Sequence, residues 1–132
     1  MKKCYVFINR YLGDKQAGIQ AAHAVTRMMI NPPTDVLLWA GYHETIVLLN
    51  GGDHDDLKAL AIKYGEIGNG MHSFNEPGLN HAITAVAMVP TPAMEEVIER
   101  YKSNIKNGFI TAPNGSFETL CDIIAKAHSF RG

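Results

Sequence analysis

The chain predicts an α/β fold: a mixed four-stranded sheet with helices on both faces and an extra C-terminal helix. Three observations lead there. Short runs of β-branched and other apolar residues alternate with stretches of helical periodicity. Helices stand between the first three strand runs, which calls for crossover connections. The third and fourth runs lie close enough to pair as an antiparallel hairpin. With 132 residues there is room for one domain and one sizeable core, and 46% hydrophobic with 19% charged residues is ordinary for a globular chain.

Lys3–Asn9 is rich in β-formers and reads as a central strand. A loop carrying Gly13 leads into a helix over Gln16–Ile30, which Asn31-Pro32-Pro33 stops because proline disfavours helix in the residue before it. Thr34 or Asp35 is positioned to cap a short helix through Trp39 and Ala40. Glu44–Asn50 is the second strand, ended by Gly51-Gly52. Asp53 then reads as an N-cap with Asp56 three residues on, and Leu57, Leu60, Ala61 and Tyr64 share one helix face that Gly65–Gly70 ends. Met71–Phe74 is a short third strand, and Asn75–His81 a polar loop. Ala82–Val89, apolar on both faces, is an interior strand. Pro90-Thr91-Pro92 introduces a helix over Ala93–Lys102 with Met94, Val97, Ile98 and Tyr101 inward. After a loop, Ser116 caps a last helix to Ala127 whose apolar face is Phe117, Leu120, Ile123 and Ile124.

The first helix carries the functional expectation. On a wheel of about 100° per residue, Gln16, Gln20, His23 and Arg27 fall within roughly 60° of one another. Thr26 flanks them, and every other position is Ala, Gly, Ile, Val or Met. Such a narrow seam predicts a helix buried on most sides, with its polar edge facing a cleft. Lys and Glu usually make a solvent edge; Gln, His and Arg make a hydrogen-bonding surface with one titratable group.

Net charge is −1, but residues 1–31 hold Lys2, Lys3, Arg10, Lys15 and Arg27 against Asp14 alone, a balance of +4. This permits anion binding around the seam. Cys4 and Cys121 sit among apolar residues and read as buried free thiols. The apolar run at the N-terminus is too short for a signal peptide and no segment reaches membrane-spanning length, so a cytoplasmic protein without a membrane partner is expected. No dinucleotide-binding glycine fingerprint, phosphate-binding loop or nucleophile elbow is present, and no cofactor is expected. Asp53-His54-Asp55-Asp56 invites a metal, yet helix-dipole complementarity accounts for these acids, so none is expected.

Lys15-Gln16-Ala17-Gly18-Ile19-Gln20-Ala21-Ala22-His23-Ala24 resembles the signature of type II (archaeal and eukaryotic) peptidyl-tRNA hydrolases, a lysine followed by A-A-Q-x-x-H-A. Asp55-Asp56-Leu57 after a strand and Thr84–Pro90 match later landmarks in order. The family's lysine aligns with Gln16, with Lys15 one place early. Glu76-Pro77-Gly78-Leu79-Asn80 stands where the family carries an acidic D-A-G-R-T loop. The resemblance implies such a domain over residues 1–102, with residues 103–132 a helical extension packed on it. It implies a homodimer active in translation that hydrolyses the ester joining a peptide, or an N-blocked aminoacyl group, to tRNA. Ester hydrolysis needs an activated water and an oxyanion donor. His23 or Glu76 would hold the water; Thr84, Asn80 or Lys15 would donate; Gln16, Gln20, Arg10 and Arg27 would bind the substrate, the cations at phosphates. The alternative is a non-catalytic RNA- or protein-binding module on the same fold.

Overall fold

The computed structural model describes residues 2–67 and 71–131. The Gly68–Gly70 part of the expected helix break lies outside the described residues. In chain order the elements are β1 (Cys4–Ile8), α1 (Asp14–Met28), α2 (Thr34–Tyr42), β2 (Ile46–Asn50), α3 (His54–Tyr64), β3 (His72–Glu76), a 3-10 turn (Pro77–Leu79), β4 (Ala82–Met88), α4 (Pro92–Lys106) and α5 (Gly115–Lys126). The sheet order is β2-β1-β4-β3; β1 and β2 run parallel, and the other two pairs are antiparallel. Both strands expected inside are inside.

Alternation along β1 divides the core. Cys4, Val6 and Ile8 pack with Ala17, Ala21, Ala24 and Met28 of α1 and Val36 and Trp39 of α2. Tyr5 and Phe7 pack with Leu57 and Leu60 of α3, Met94, Ile98 and Tyr101 of α4, and Leu120, Cys121 and Ile124 of α5. Each fully buried aliphatic here contributes about 1.5–3 kcal/mol. Burial pushes the Cys4 thiol up to about 12 and the Cys121 thiol to about 11, and both are free, so both are inert packing groups at neutral pH.

Several local expectations are corrected. α1 starts two residues early and is not buried on most sides: Gly18, Ile19, Ala22 and Thr26 stand exposed, because α1 is an outer-layer helix with one neighbouring surface, the sheet. α2 is capped by Pro33 backbone rather than by Thr34 or Asp35. α5 begins at Gly115 with Asn114 at its N-cap, so Ser116 lies inside the helix, and Phe117 is exposed. β3 extends through Glu76, two residues past the expected end. The Asp53 cap is as read: its side chain accepts from the Asp56 N–H at 2.9 Å while Asp56 accepts from the Asp53 N–H at 3.0 Å. α4 continues to Lys106, across the boundary placed at residue 102, and packs closely on α5.

Two features were not anticipated. Phe74 faces Ala85 while Asn75 faces Ile83, so Thr84 is one extra residue on β4, a β-bulge. Strict alternation would send Thr84 and Ala85 to opposite layers. The bulge turns both toward α1, with Ile83 and Val86 on the α3–α5 side. Beyond α5, Ser129 bridges antiparallel to Leu49; Asn50 N–H donates to the His128 carbonyl at 2.9 Å and Phe130 N–H to the Leu48 carbonyl at 3.0 Å. The C-terminal residues thus pair with the open edge of β2, and Phe130 packs against the α1–α2 core.

Candidate active site

The carboxyl ends of β1, β2 and β3 and the start of β4 lie along one edge of the sheet, because β4 alone runs the other way. α1 and α3 leave that edge to opposite layers. This is a crevice where open α/β sheets gather ligands. It holds a cleft of about 740 Å³ lined by Asn9 and Tyr11 after β1, Gly13, Gln16 and Gln20 of the α1 start, Asp53, His54 and Asp55 of the α3 start, and Glu76, Gly78, Leu79 and Ala82 of the hairpin.

The floor is a polar network. Thr84 Oγ1 donates to Gln20 Oε1 at 2.7 Å, with the Phe74 carbonyl a second, longer acceptor at 3.4 Å. Gln20 Nε2 reaches Gln16 Oε1 at 3.5 Å. Thr84 and Gln20 are both buried. Asn9 ties the first strand to the fourth: its Nδ2 donates to the Ile83 carbonyl at 3.1 Å, and its N–H to the Thr84 carbonyl at 2.9 Å. The Ile83 N–H donates to His54 Nδ1 at 2.9 Å. A nitrogen that accepts carries no proton, so neutral His54 holds its hydrogen on Nε2. At the α1 start, N-cap Gly13 offers no side chain to the first-turn amides, and this uncapped helix end borders the cleft.

Of the residues expected at the site, Gln16, Gln20 and Glu76 line the cleft together. Thr84 sits beneath it with its hydroxyl given to Gln20, so it positions that amide and does not reach solvent. His23 and Arg27 lie elsewhere. The His23 ring stacks on Phe74 with centroids 4.3 Å apart and 12° between planes, and the Arg27 guanidinium lies 5.1 Å from the same ring centroid. The seam divides because Gln16 to Arg27 spans about 16 Å at 1.5 Å per residue, longer than the helix turn that borders the cleft. Asn80 and His81 adopt left-handed backbone (φ 54° and 59°) in the exposed turn into β4, so Asn80 shapes the turn outside the cleft lining. Lys15 and Arg10 are exposed and outside the lining; Arg10 Nη2 donates to the Tyr11 hydroxyl at 2.9 Å.

No family model matches the chain, and no curated protein matches it. The expected setting is also corrected. The lining carries Asp53, Asp55 and Glu76 and neither Lys nor Arg, so the cleft is acidic rather than basic. The +4 balance of residues 1–31 does not converge there: Lys2 and Lys3 are half-buried, Lys2 pairing with Asp35 at 2.7 Å, while Arg10, Lys15 and Arg27 are exposed outside the lining. Among the described residues no cluster of His, Cys, Asp and Glu is arranged to hold a metal. No helix among them is long and apolar enough to cross a membrane.

His54, Asn9 and Tyr11 are the lining residues that sequence reading passed over. For His54 a signal existed: it follows a Gly-Gly break at the carboxyl end of a strand, where such sheets place ligand-binding groups. Helix-dipole complementarity accounts for its acidic neighbours but gives the histidine no role of its own.

Proposed function

We propose that this chain is a peptidyl-tRNA hydrolase-like enzyme that cleaves the ester between a peptide, or an N-blocked aminoacyl group, and tRNA. The observation that carries the reading is that Glu76, Gln16 and Gln20, drawn from the two stretches resembling that family, share one cleft with His54 at the carboxyl edge of the sheet. Glu76 is the general base. It takes a proton from a water whose oxygen attacks the ester carbonyl carbon. His54 Nε2–H and the uncapped α1 amides are the donors for the oxyanion. As the tetrahedral intermediate collapses, the carbon–oxygen ester bond breaks and the ribose oxygen takes the proton back from Glu76. The products are a peptide carboxylic acid, which loses its proton to solvent, and tRNA with a free hydroxyl. Exposed Tyr11 of the lining offers the terminal base the ring face opposite the Arg10 guanidinium, which lies 4.9 Å from the ring centroid, and exposed Arg10 and Lys15 meet phosphates. On this reading the protein works in the cytoplasm, in translation and without a cofactor. The exposed apolar strip of Ile19, Ala22 and Ile46 is the face for a homodimer.

One observation favours the rival, a non-catalytic RNA- or protein-binding module: the cleft lacks the lysine that would offset its three carboxylates. The test is release of tRNA from an N-acetyl-aminoacyl-tRNA. Glu76→Gln and His54→Gln should each slow release by about a hundredfold, and His23→Ala, outside the lining, far less. Wild-type protein that binds tRNA but releases none above a buffer control would establish the binding module instead.

A further inference from the structure

On the other side of α3 from the acidic cleft lies a groove of opposite charge. It consists of two adjoining hollows of about 380 and 600 Å³ that meet at Asn50 and Ala127. Lys63 of α3, Lys126 of α5, and His128 and Arg131 of the C-terminal residues line it. All four are exposed. Among the described residues Lys63, His128 and Arg131 have no carboxylate partner; Lys126 meets Asp122 at 3.0 Å, outside the lining. The one acid in the lining, Asp56, is engaged by the Asp53 N–H in the α3 capping box. The groove therefore presents an excess of positive charge where the cleft presents Asp53, Asp55 and Glu76. It is built by tertiary structure: pairing of the C-terminal residues with β2 brings His128 and Arg131 to a hollow adjoining the one lined by Lys63, more than sixty residues earlier.

We propose that this groove binds the phosphodiester backbone of RNA, holding the tRNA body while its acyl end enters the cleft beyond α3. The proposal rests on the hydrolase reading for the identity of the RNA, and on charge complementarity for the surface. Flexible cations on three separate elements suit a chain of phosphates, which is met by spaced charges rather than by a single pocket. The division of labour adds attraction for a polyanion on the far side of the helix, away from the carboxylates of the acidic cleft.

The test is fluorescence anisotropy of deacylated tRNA over a range of salt, using the full chain and a triple variant, Lys63→Gln, Lys126→Gln and Arg131→Gln. Affinity at low salt should fall at least tenfold, and the slope of log affinity against log salt should flatten by roughly 2 to 3. Because Lys126→Gln removes an ion pair, the double variant Lys63→Gln and Arg131→Gln is compared with a matched control, Arg100→Gln and Lys106→Gln on α4. The first should weaken binding clearly more than the second. Equal effects of the two doubles, or wild-type affinity and slope in the triple variant, would overturn the groove. Tighter binding of poly-glutamate than of tRNA at equal charge would overturn the choice of RNA. Groove-dependent tRNA binding without ester release would leave the groove standing and remove the hydrolase. Release of tRNA with binding unaffected by the groove variants would do the reverse.

Discussion

Thr84 is the residue on which the site's geometry turns. Its hydroxyl has one proton and gives it to Gln20 at a buried position, where a stranded amide oxygen is costly. Thr84→Val should destabilise the fold by about 1–3 kcal/mol, the usual penalty for an unsatisfied buried acceptor. Gln20→Leu removes that acceptor, so adding it to Thr84→Val should cost less than the two single changes summed. Urea unfolding of the four proteins checks this; strict additivity would mean the hydrogen bond carries no coupling. If the hydrolase reading holds, Thr84→Val should also slow ester release, because a released Gln20 amide no longer fixes the cleft floor.

The hairpin from β3 to β4 is an element under local strain. Asn80 and His81 both hold positive φ, a conformation asparagine and histidine visit more readily than most residues but which still costs a Cβ-bearing residue about 1–2 kcal/mol. The turn is over-determined by its surroundings: His81 N–H donates to the Glu76 carbonyl at 3.0 Å, and Asn75 Nδ2 to the His81 carbonyl at 3.0 Å. Replacing His81 with glycine should therefore stabilise the protein by about 0.5–1 kcal/mol, relief of left-handed strain less the entropy of the freer unfolded chain. Thermal denaturation reads it directly, and a lower midpoint would contradict the strain. The neighbouring α3 shows the opposite case, a helix whose start is satisfied locally by Asp53 and Asp56 and was legible at once.

At the scale of the molecule, the C-terminal residues close the sheet. β2 is an edge strand with exposed Ile46, and its free amides are a template for pairing with another chain. Ending the chain at Ala127 should expose the Asn50 N–H, which now donates to the His128 carbonyl, and remove Phe130 from the α1–α2 core. The expected outcome is faster hydrogen exchange at Asn50, a loss of about 1–2 kcal/mol from the lost apolar contact, and concentration-dependent association. Hydrogen exchange and sedimentation measure these. Exchange at Asn50 equal to the full chain would show that the pairing contributes no protection.

Features that rest on neighbours along the chain are readable from the order of residues. The alternation of Cys4–Ile8, the helical face of Met94, Ile98 and Tyr101, the Asp53 cap and the order of strands and helices are local patterns, and burial follows them. The helical seam of Gln16 and Gln20 belongs here too, since spacing alone places both on one face. Other features depend on pairing between segments far apart in the chain. Register put the extra residue of β4 at Thr84 and aimed its hydroxyl at α1. The length of α1 carried His23 and Arg27 past the cleft to Phe74. The convergence of strand ends set His54 and Glu76 in one cleft and gathered carboxylates there, away from the cations of residues 1–31. The return of residues 128–130 to β2 built a cationic groove from charges that no stretch of sequence holds together. Periodicity specifies which face of an element is buried; it carries no information about what the exposed face meets, because that partner lies elsewhere in the chain.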